Sequence, residues 1–145
     1  MATKSSAFSL IELLVVIAII GILSATGVVT YQGYVSGTKK KATENAMQQI
    51  ALAQTEEFSN TGDYYYTSAD TDTCSPTKDT SQAINANLFD GGEIIADKSG
   101  YHVCTVQLGT SYIVVAEEMK SAAAKADACV MSMTANSVWT RNKNC

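Results

Sequence analysis

A long stretch without charge near the N-terminus limits what this chain can fold into. No charged residue occurs from Leu13 to Ser36, and the next charge is Lys39. At about 1.5 Å per residue, the first twenty or so residues of a helix over residues 8–35 span about 30 Å, which is enough to cross a bilayer. The stretch therefore predicts a segment that is buried by a membrane or by other molecules.

Glu12 is the carboxylate at the start of this stretch. A carboxylate within a membrane span costs about 2.5–3.5 kcal/mol on insertion scales, and charges found there usually have a function and a partner. Glu12 therefore predicts a specific partner, and the nature of that partner is the main indication of function.

A helical pattern continues beyond the apolar stretch. In residues 36–60 apolar side chains recur at spacings of three and four, while charged and amide side chains occupy the positions between them. No strong helix breaker precedes Asn60-Thr61-Gly62. We therefore expect a single helix of about fifty residues, apolar in its first half and amphipathic in its second.

Residues 61–145 predict a small head that contains a sheet. Residues 61–98 are rich in Thr, Ser, Asp, Asn and Gly and predict loops, with a short helical turn at 81–89. Residues 99–145 predict strands at 101–108, 112–116, 128–133 and 138–140, with residues 121–126 as either a loop or a helical turn. The expected fold class is α+β, with the long N-terminal helix packed on a three- to four-stranded antiparallel sheet.

The cysteine pattern indicates an oxidising compartment. The four cysteines contain no Cys-x-x-Cys pair, and their spacing fits neither a zinc ribbon nor a zinc finger. An even number in a small domain predicts two disulfides, for which three connectivities are possible. The cysteines are Cys74, Cys104, Cys129 and Cys145.

Charge and motif content argue against several classes of function. The formal net charge of −4 is the wrong sign for broad binding of nucleic acid or of anionic lipid. We find no nucleophile–base pair, no phosphate-binding loop and no set of metal ligands in the sequence, so we expect no enzyme, no cofactor and no metal site.

A few polar and aromatic residues have two interpretations. Asp70-x-Asp72 and Glu117-Glu118 suggest calcium, but no complete binding loop surrounds them, which favours solvated acids. His102, Trp139 and the Tyr64-Tyr65-Tyr66 cluster are interpreted as structural.

The start of the chain resembles a type IV prepilin, most closely a type IVa major pilin. The resemblance rests on Tyr31-Gln32-Gly33-Tyr34 and on the preceding run Ala7-Phe8-Ser9-Leu10-Ile11-Glu12-Leu13-Leu14-Val15-Val16-Ile17-Ala18-Ile19-Ile20-Gly21-Ile22-Leu23. The chain departs from that family in having Ala7 where glycine is usual and in lacking the proline common in the middle of the helix.

The resemblance implies a division of the chain and a set of site residues. It implies a leader of residues 1–7, a transmembrane and filament-core half of 8–35, an amphipathic half of 36–60 and a head of 61–145 in the pilin ladle fold. Prepilin peptidase would cut between Ala7 and Phe8 and methylate the new amine of Phe8. In the filament, Glu12 would then pair with the Phe8 amine of another subunit and fix the register, since a buried ion pair is better evidence for register than for stability.

The resemblance also implies the disulfide pairing and the role of the protein. Cys129 and Cys145 would bound a C-terminal loop as in many pilins, with Cys74 and Cys104 as the other pair. The chain would be a structural subunit of type IV pilus filaments that support adhesion, motility or DNA uptake. Its partners would be other copies of itself, prepilin peptidase, the pilus assembly machinery, and the inner membrane before assembly on the cell surface. Nucleic acid is not expected along the shaft.

Two alternatives remain at this point. The chain could be a pseudopilin of type II secretion or a minor pilin, or it could be a signal-anchored extracytoplasmic binding domain, which would need no cut at Phe8. Lys39-Lys40-Lys41 would lie on the far side of the membrane, against the positive-inside tendency, and is interpreted as a solvated helix face or as a contact to acidic neighbours between subunits.

Overall fold

The computed structural model describes residues 8–145, except for the side chains of Val29 and Gln32. It begins with helix α1, Leu10–Thr61, which is 52 residues long. The chain divides into two compact units, residues 1–38 and residues 39–145, and α1 contributes to both. The expected long helix is therefore confirmed.

The second unit is built on one face of α1. Thr43, Met47, Ile50 and Gln54 are buried at spacings of three and four, which place them on the same side of the helix. The helix ends at Thr61 because Gly62 adopts a φ of +84° and its N–H bonds to the carbonyl of Phe58 at 2.9 Å. Glycine takes this left-handed conformation without steric cost, which is why it so often terminates helices.

The sheet has four antiparallel strands in chain order, as expected for this α+β fold. They are β1, Tyr101–Leu108; β2, Ser111–Glu118; β3, Val130–Thr134; and β4, Trp139–Arg141. Strands β1 and β2 form a hairpin in which Leu108 pairs with Ser111, so the turn is the predicted Gly109-Thr110. Gly109 has a φ of +61°, as two-residue hairpin turns require.

A second helix, α2, Lys78–Leu88, is longer than the short turn expected from the sequence. It begins earlier because Thr77 and Thr80 form a reciprocal capping box, in which each side chain accepts a hydrogen bond from the backbone N–H of the other. Between β2 and β3, residues Ala122–Asp127 form a 3₁₀ helix, which settles the choice between loop and helical turn.

The outer edge of β1 is covered, so it does not offer free hydrogen-bonding groups to another chain. Val103 donates to Ser81 Oγ at 2.9 Å and accepts from Thr80 Oγ1 at 2.8 Å, both on α2. Further along, Thr67 bonds to both backbone groups of Thr105 at 2.9 Å each. An uncovered edge strand favours aggregation, and these bonds protect the β1 edge of the sheet against it.

The core of the second unit joins both helices to the sheet. Met47 and Ile50 of α1, and Ile84 of α2, are fully buried against apolar side chains of β1 to β3. The strand residues of this cluster are Tyr101, Val103, Tyr112, Val114, Ala116, Met131 and Met133. The structure contains two disulfides, with the pairing that the resemblance implies. Cys74–Cys104 attaches the loop before α2 to β1, and Cys129–Cys145 closes the C-terminal segment.

Gln54 is a buried polar residue at the centre of this unit. Its side chain has no exposed area, and its amide donates to the Tyr65 carbonyl at 2.6 Å while accepting from the Tyr65 N–H at 2.8 Å. Buried polar groups are tolerated when they are fully hydrogen-bonded. Gln54 therefore fixes where the chain turns back after α1.

Glu44 attaches the C-terminal segment to α1. Its buried carboxylate contacts Lys41 Nζ at 2.7 Å and Arg141 Nη2 at 2.9 Å. Burial acts to raise the pKa of Glu44, but the hydrogen bonds and positive charges of Lys41 and Arg141 outweigh it, so the pKa lies below its usual value. Arg141 also lies over the Trp139 ring, 5.3 Å from its centroid, so this tryptophan reports on the same contact.

Replacing Gln54 by leucine should destabilise the second unit by about 2 kcal/mol, because the Tyr65 N–H and carbonyl lose their buried partner. The matched control is Gln48→Leu, which makes the same change at an exposed position of α1 and should alter stability by less than about 0.5 kcal/mol. Urea unfolding of the full chain in detergent micelles, followed by near-UV circular dichroism, measures both. Equal effects of the two substitutions would contradict the role given to Gln54.

The ion pairs of Glu44 predict a stability that falls in acid. Because its pKa is lowered in the folded state, its contribution is complete above the unfolded value of about 4.3 and is lost as the pH falls through the lower folded value. Glu44→Gln should therefore cost about 1–2 kcal/mol at neutral pH, discounted for the exposure of Arg141, and should flatten the loss of stability below about pH 5.

Trp139 fluorescence during urea unfolding at a series of pH values tests this expectation, since Trp139 is the sole tryptophan. Glu56→Gln, which removes an exposed carboxylate from the same helix, is the control and should keep the acid dependence of the wild type. A Glu44→Gln variant with the unchanged wild-type slope would show that these ion pairs do not govern the acid response.

Candidate functional site

The start of α1 is an N-terminal capping box. Ser9 precedes the first helical residue and Glu12 is the third, so the two occupy the positions that such a box requires. Glu12 Oε2 accepts from the Ser9 N–H and from Ser9 Oγ, each at 3.0 Å, while Ser9 Oγ accepts from the Glu12 N–H at 3.3 Å. Two backbone donors that the helix leaves free are thereby satisfied.

This geometry gives Glu12 a partner inside its own chain. Its carboxylate lies where the helix dipole is positive, which stabilises negative charge. Our sequence prediction for Glu12 considered only an intermolecular partner and missed Ser9. The signal was present in the order Ser9-Leu10-Ile11-Glu12, since serine followed by glutamate three residues later marks a helix start.

Of the two residues at the predicted cut, one can be placed. Phe8 lies just before the capping box, and 81% of the area of this residue is exposed. Ala7 and the rest of the predicted leader lie outside the described residues.

The first unit exposes the apolar side chains that follow Glu12. One helix in the described residues, α1, is long and apolar enough to cross a membrane, and its most apolar window has a mean hydropathy of 2.6 with none of it buried. Leu13, Ile17 and Ile20 all expose more than half of their area. A helix that is apolar on all sides needs an apolar environment, such as lipid or other helices.

The three consecutive lysines all contact other residues of the second unit. The stem of Lys39 lies over Gly100, where an added Cβ would come within 2.9 Å of Lys39 Cδ. Lys40 Nζ donates to the Cys145 main-chain oxygen at 2.8 Å, and Lys41 forms the ion pair with Glu44. Lys39 and Lys41 are exposed, as the solvated-face interpretation expects, but that interpretation missed the contacts of Lys40 and Lys41 that hold the C-terminal segment on α1.

The acidic residues considered for calcium do not come together as a cation site. Glu117 pairs with Lys125 at 3.7 Å and Glu118 with Lys120 at 3.2 Å, while Asp70 and Asp72 are exposed. Within residues 8–145 no group of three or more His, Cys, Asp or Glu side chains could hold a metal ion. His102 and the two glutamates line a small cavity of about 150 Å³.

The tyrosine cluster packs where α1 meets the following loop. The rings of Tyr64 and Phe58 stack with centroids 4.6 Å apart, and Tyr64 also contacts Tyr112 at 4.9 Å. Burial raises the pKa of Tyr65, against a smaller lowering by a hydrogen bond from Asn87. These contacts fit the structural interpretation of the cluster.

Comparison with known proteins identifies the segment around the capping box. Residues 2–28 match the family described as the prokaryotic N-terminal methylation motif. The comparisons with curated proteins and with solved structures give no match. The matched segment contains Phe8, Ser9, Glu12 and most of the exposed apolar part of α1.

The methylation motif and the fold are both consistent with the predicted pilin-like organisation. An N-terminal methylation motif lies on an apolar helix, and that helix continues into a unit with a four-stranded antiparallel sheet and two disulfides. The motif indicates a structural subunit, not an enzyme. The predicted resemblance is confirmed over residues 2–28, where the methylation motif supports a type IV pilin-family protein.

Proposed function

We propose that this chain is the precursor of a subunit that polymerises into type IV pilus filaments. Prepilin peptidase removes residues 1–7 by cutting between Ala7 and Phe8 and then methylates the Phe8 amine. The observation that carries the proposal is the methylation motif on a helix whose apolar side chains have no cover in their own unit. Such side chains need lipid before assembly and other subunits afterwards.

The first stage of the proposal is a precursor anchored in the inner membrane. Residues 8–35 span the bilayer, residues 36–60 continue as the amphipathic half of α1, and residues 61–145 form the head on the outer side. Two disulfides in the head support this placement, since such bonds persist in oxidising compartments.

The second stage is a filament on the cell surface. The apolar halves of many copies pack in its core with the help of the pilus assembly machinery, and the heads face outwards. Adhesion, motility and DNA uptake are the surface functions that such filaments support. The formal net charge of −4 disfavours nucleic acid along the shaft.

Glu12 has a place in both stages. Its Oε2 is used by the capping box, whereas its Oε1 accepts no hydrogen bond from any residue in 8–145. Cleavage at Phe8 creates an amine that is largely protonated at neutral pH, since unperturbed α-amino groups titrate near about 7.7–8.0. We propose that the free oxygen pairs with the Phe8 amine of a neighbouring subunit and fixes the register of the apolar helices.

Mass spectrometry of surface filaments should find a subunit that begins at methylated Phe8. The cut generates the amine on which the register contact depends, so the mature protein must start there. Sheared surface material from producing cells is the sample, and dominance of this chain in it favours a major pilin over a minor pilin or pseudopilin. An intact Met1 would instead indicate a signal-anchored domain. A start at Val28, which a signal peptidase cut after the small residues Ala25-Thr26-Gly27 would give, would indicate a secreted domain.

Three substitutions separate the register role of Glu12 from its capping role. Glu12→Gln keeps an oxygen for the cap but removes the charge, Glu12→Ala removes both, and Ser9→Ala removes the cap hydroxyl but keeps the charge. We expect both Glu12 variants to lower filament yield at least tenfold, because each leaves a buried amine without its counter-ion. Ser9→Ala should assemble close to the wild type.

Filament yield after shearing, normalised to subunit in the membrane, is the measurement, and all three variants should still be exported. If Glu12→Gln assembles normally while Ser9→Ala does not, the capping box and not the ion pair is what assembly requires.

A further inference from the structure

The lysines of the second unit fall into two groups by their partners. In the first group each lysine pairs with a carboxylate: Lys41 with Glu44, Lys78 with Asp97, Lys120 with Glu118 and Lys125 with Glu117. By contrast, Lys39, Lys40, Lys98 and Lys143 form no salt bridge with any Asp or Glu side chain that the structure describes, and Lys39, Lys98 and Lys143 are exposed.

The lysines of the second group lie around one end of the unit. The side chain of Lys39 rests on Gly100, two residues after Lys98. Lys40 donates to the Cys145 oxygen at 2.8 Å, two residues after Lys143. We call Lys39, Lys40, Lys98 and Lys143 the lysine cluster.

Negative charge cancels the lysine cluster only in part. Glu44 is held by Lys41 and Arg141 and Asp97 by Lys78, while the exposed Asp127 follows Ala126, whose carbonyl accepts from the Asn144 side chain at 3.2 Å. Exposed acids on α1, such as Glu56, begin about 25 Å further along the helix. This end of the second unit is therefore basic, although the net charge of the whole chain is negative.

The position of this end in the chain identifies its partner. Lys39 follows directly on the uncharged residues Leu13 to Thr38. We propose that the lysine cluster binds the headgroups of acidic phospholipids on the side of the bilayer where residues 39–145 emerge. This proposal rests on the membrane-anchored stage of the proposed function. A span that ends just before Lys39 brings the Lys39 ammonium group within about a Debye length of the headgroups, where each nearby cation adds to the attraction.

Lipid explains the placement better than other anionic partners do. Insertion of the span alone brings the cluster to the headgroups, before any second copy or nucleic acid is encountered. Four lysines at one end of an otherwise acidic unit also give a small footprint, whereas nucleic acid binding generally uses a broad basic surface.

Native mass spectrometry tests which lipid the chain retains. The full chain is released from detergent micelles that contain equal amounts of phosphatidylglycerol and phosphatidylcholine. We expect the wild type to retain at least about three-fold more phosphatidylglycerol than phosphatidylcholine. The combined variant Lys39→Gln, Lys98→Gln, Lys143→Gln should retain the two lipids about equally. The charge-matched control, Thr55→Glu, Ser59→Glu, Asn60→Glu, makes the same change in net charge at exposed positions of α1, about 24 Å or more along the helix from Lys39, and should keep the preference.

Unchanged Trp139 fluorescence in both triple variants shows that the head remains folded. No preference in the wild type, or the same preference in the first triple variant, overturns the proposal. Retention of added duplex DNA in place of phosphatidylglycerol assigns the cluster to nucleic acid. A lysine-dependent dimer without lipid preference assigns it to a second copy, and either result overturns the lipid proposal.

Alkaline extraction of membranes separates this inference from the proposed function. A chain that stays in the membrane pellet but shows no lipid preference overturns the lysine proposal alone. Release into the supernatant overturns the membrane-anchored stage, and the lysine proposal with it.

Discussion

The apolar side chains of the first unit have no cover in that unit, and the rest of the organisation depends on this. Leu10 exposes 83% of its area and Ile22 69%. Exposing such a surface to water is strongly unfavourable, so the helix is only half of an interface whose other half is lipid or another chain. The second unit must then fold without help from this segment, on the remaining part of α1.

The second unit achieves this with a small core and many specific polar contacts. A domain of this size buries limited apolar area, so cross-links and buried hydrogen bonds contribute much of its definition. The disulfides attach the loop before α2 and the C-terminal segment, while Gln54 and the hydroxyls of Thr80 and Ser81 satisfy backbone groups that would otherwise be free. Because the sheet and α2 cover only one face of the second part of α1, the opposite face remains exposed and available for contact with other molecules.

The sequence predicted the elements whose signals are local and strong. The alternating residues of β1 and the Gly109-Thr110 turn specify their hairpin, and the uninterrupted apolar stretch specifies the first half of α1. The length of α2 was underestimated because its start depends on the Thr77 and Thr80 side chains, whose capping pattern uses threonine where glutamate is usual.

The contacts between distant residues could not be predicted in the same way. Nothing near Glu44 in the sequence indicates that Arg141 will reach it, since that ion pair exists only after the sheet has placed β4 beside α1. The same holds for Lys40 and the Cys145 oxygen. By contrast, the cap between Ser9 and Glu12 is local, and the order Ser9-Leu10-Ile11-Glu12 is sufficient to predict it.

Glu12 and Glu44 show how one helix carries charge in two different environments. Glu44 lies within the second unit and is neutralised by two cations brought to it by folding. Glu12 has no cation within the described residues, and backbone and hydroxyl donors at the helix start hold one of its oxygens. That arrangement makes the charge tolerable in the precursor without using all of its hydrogen-bonding capacity. A carboxylate with one oxygen still free is therefore suited to the proposed register contact, because the amine that the proposed cleavage would create would meet an oxygen already fixed in position by the helix.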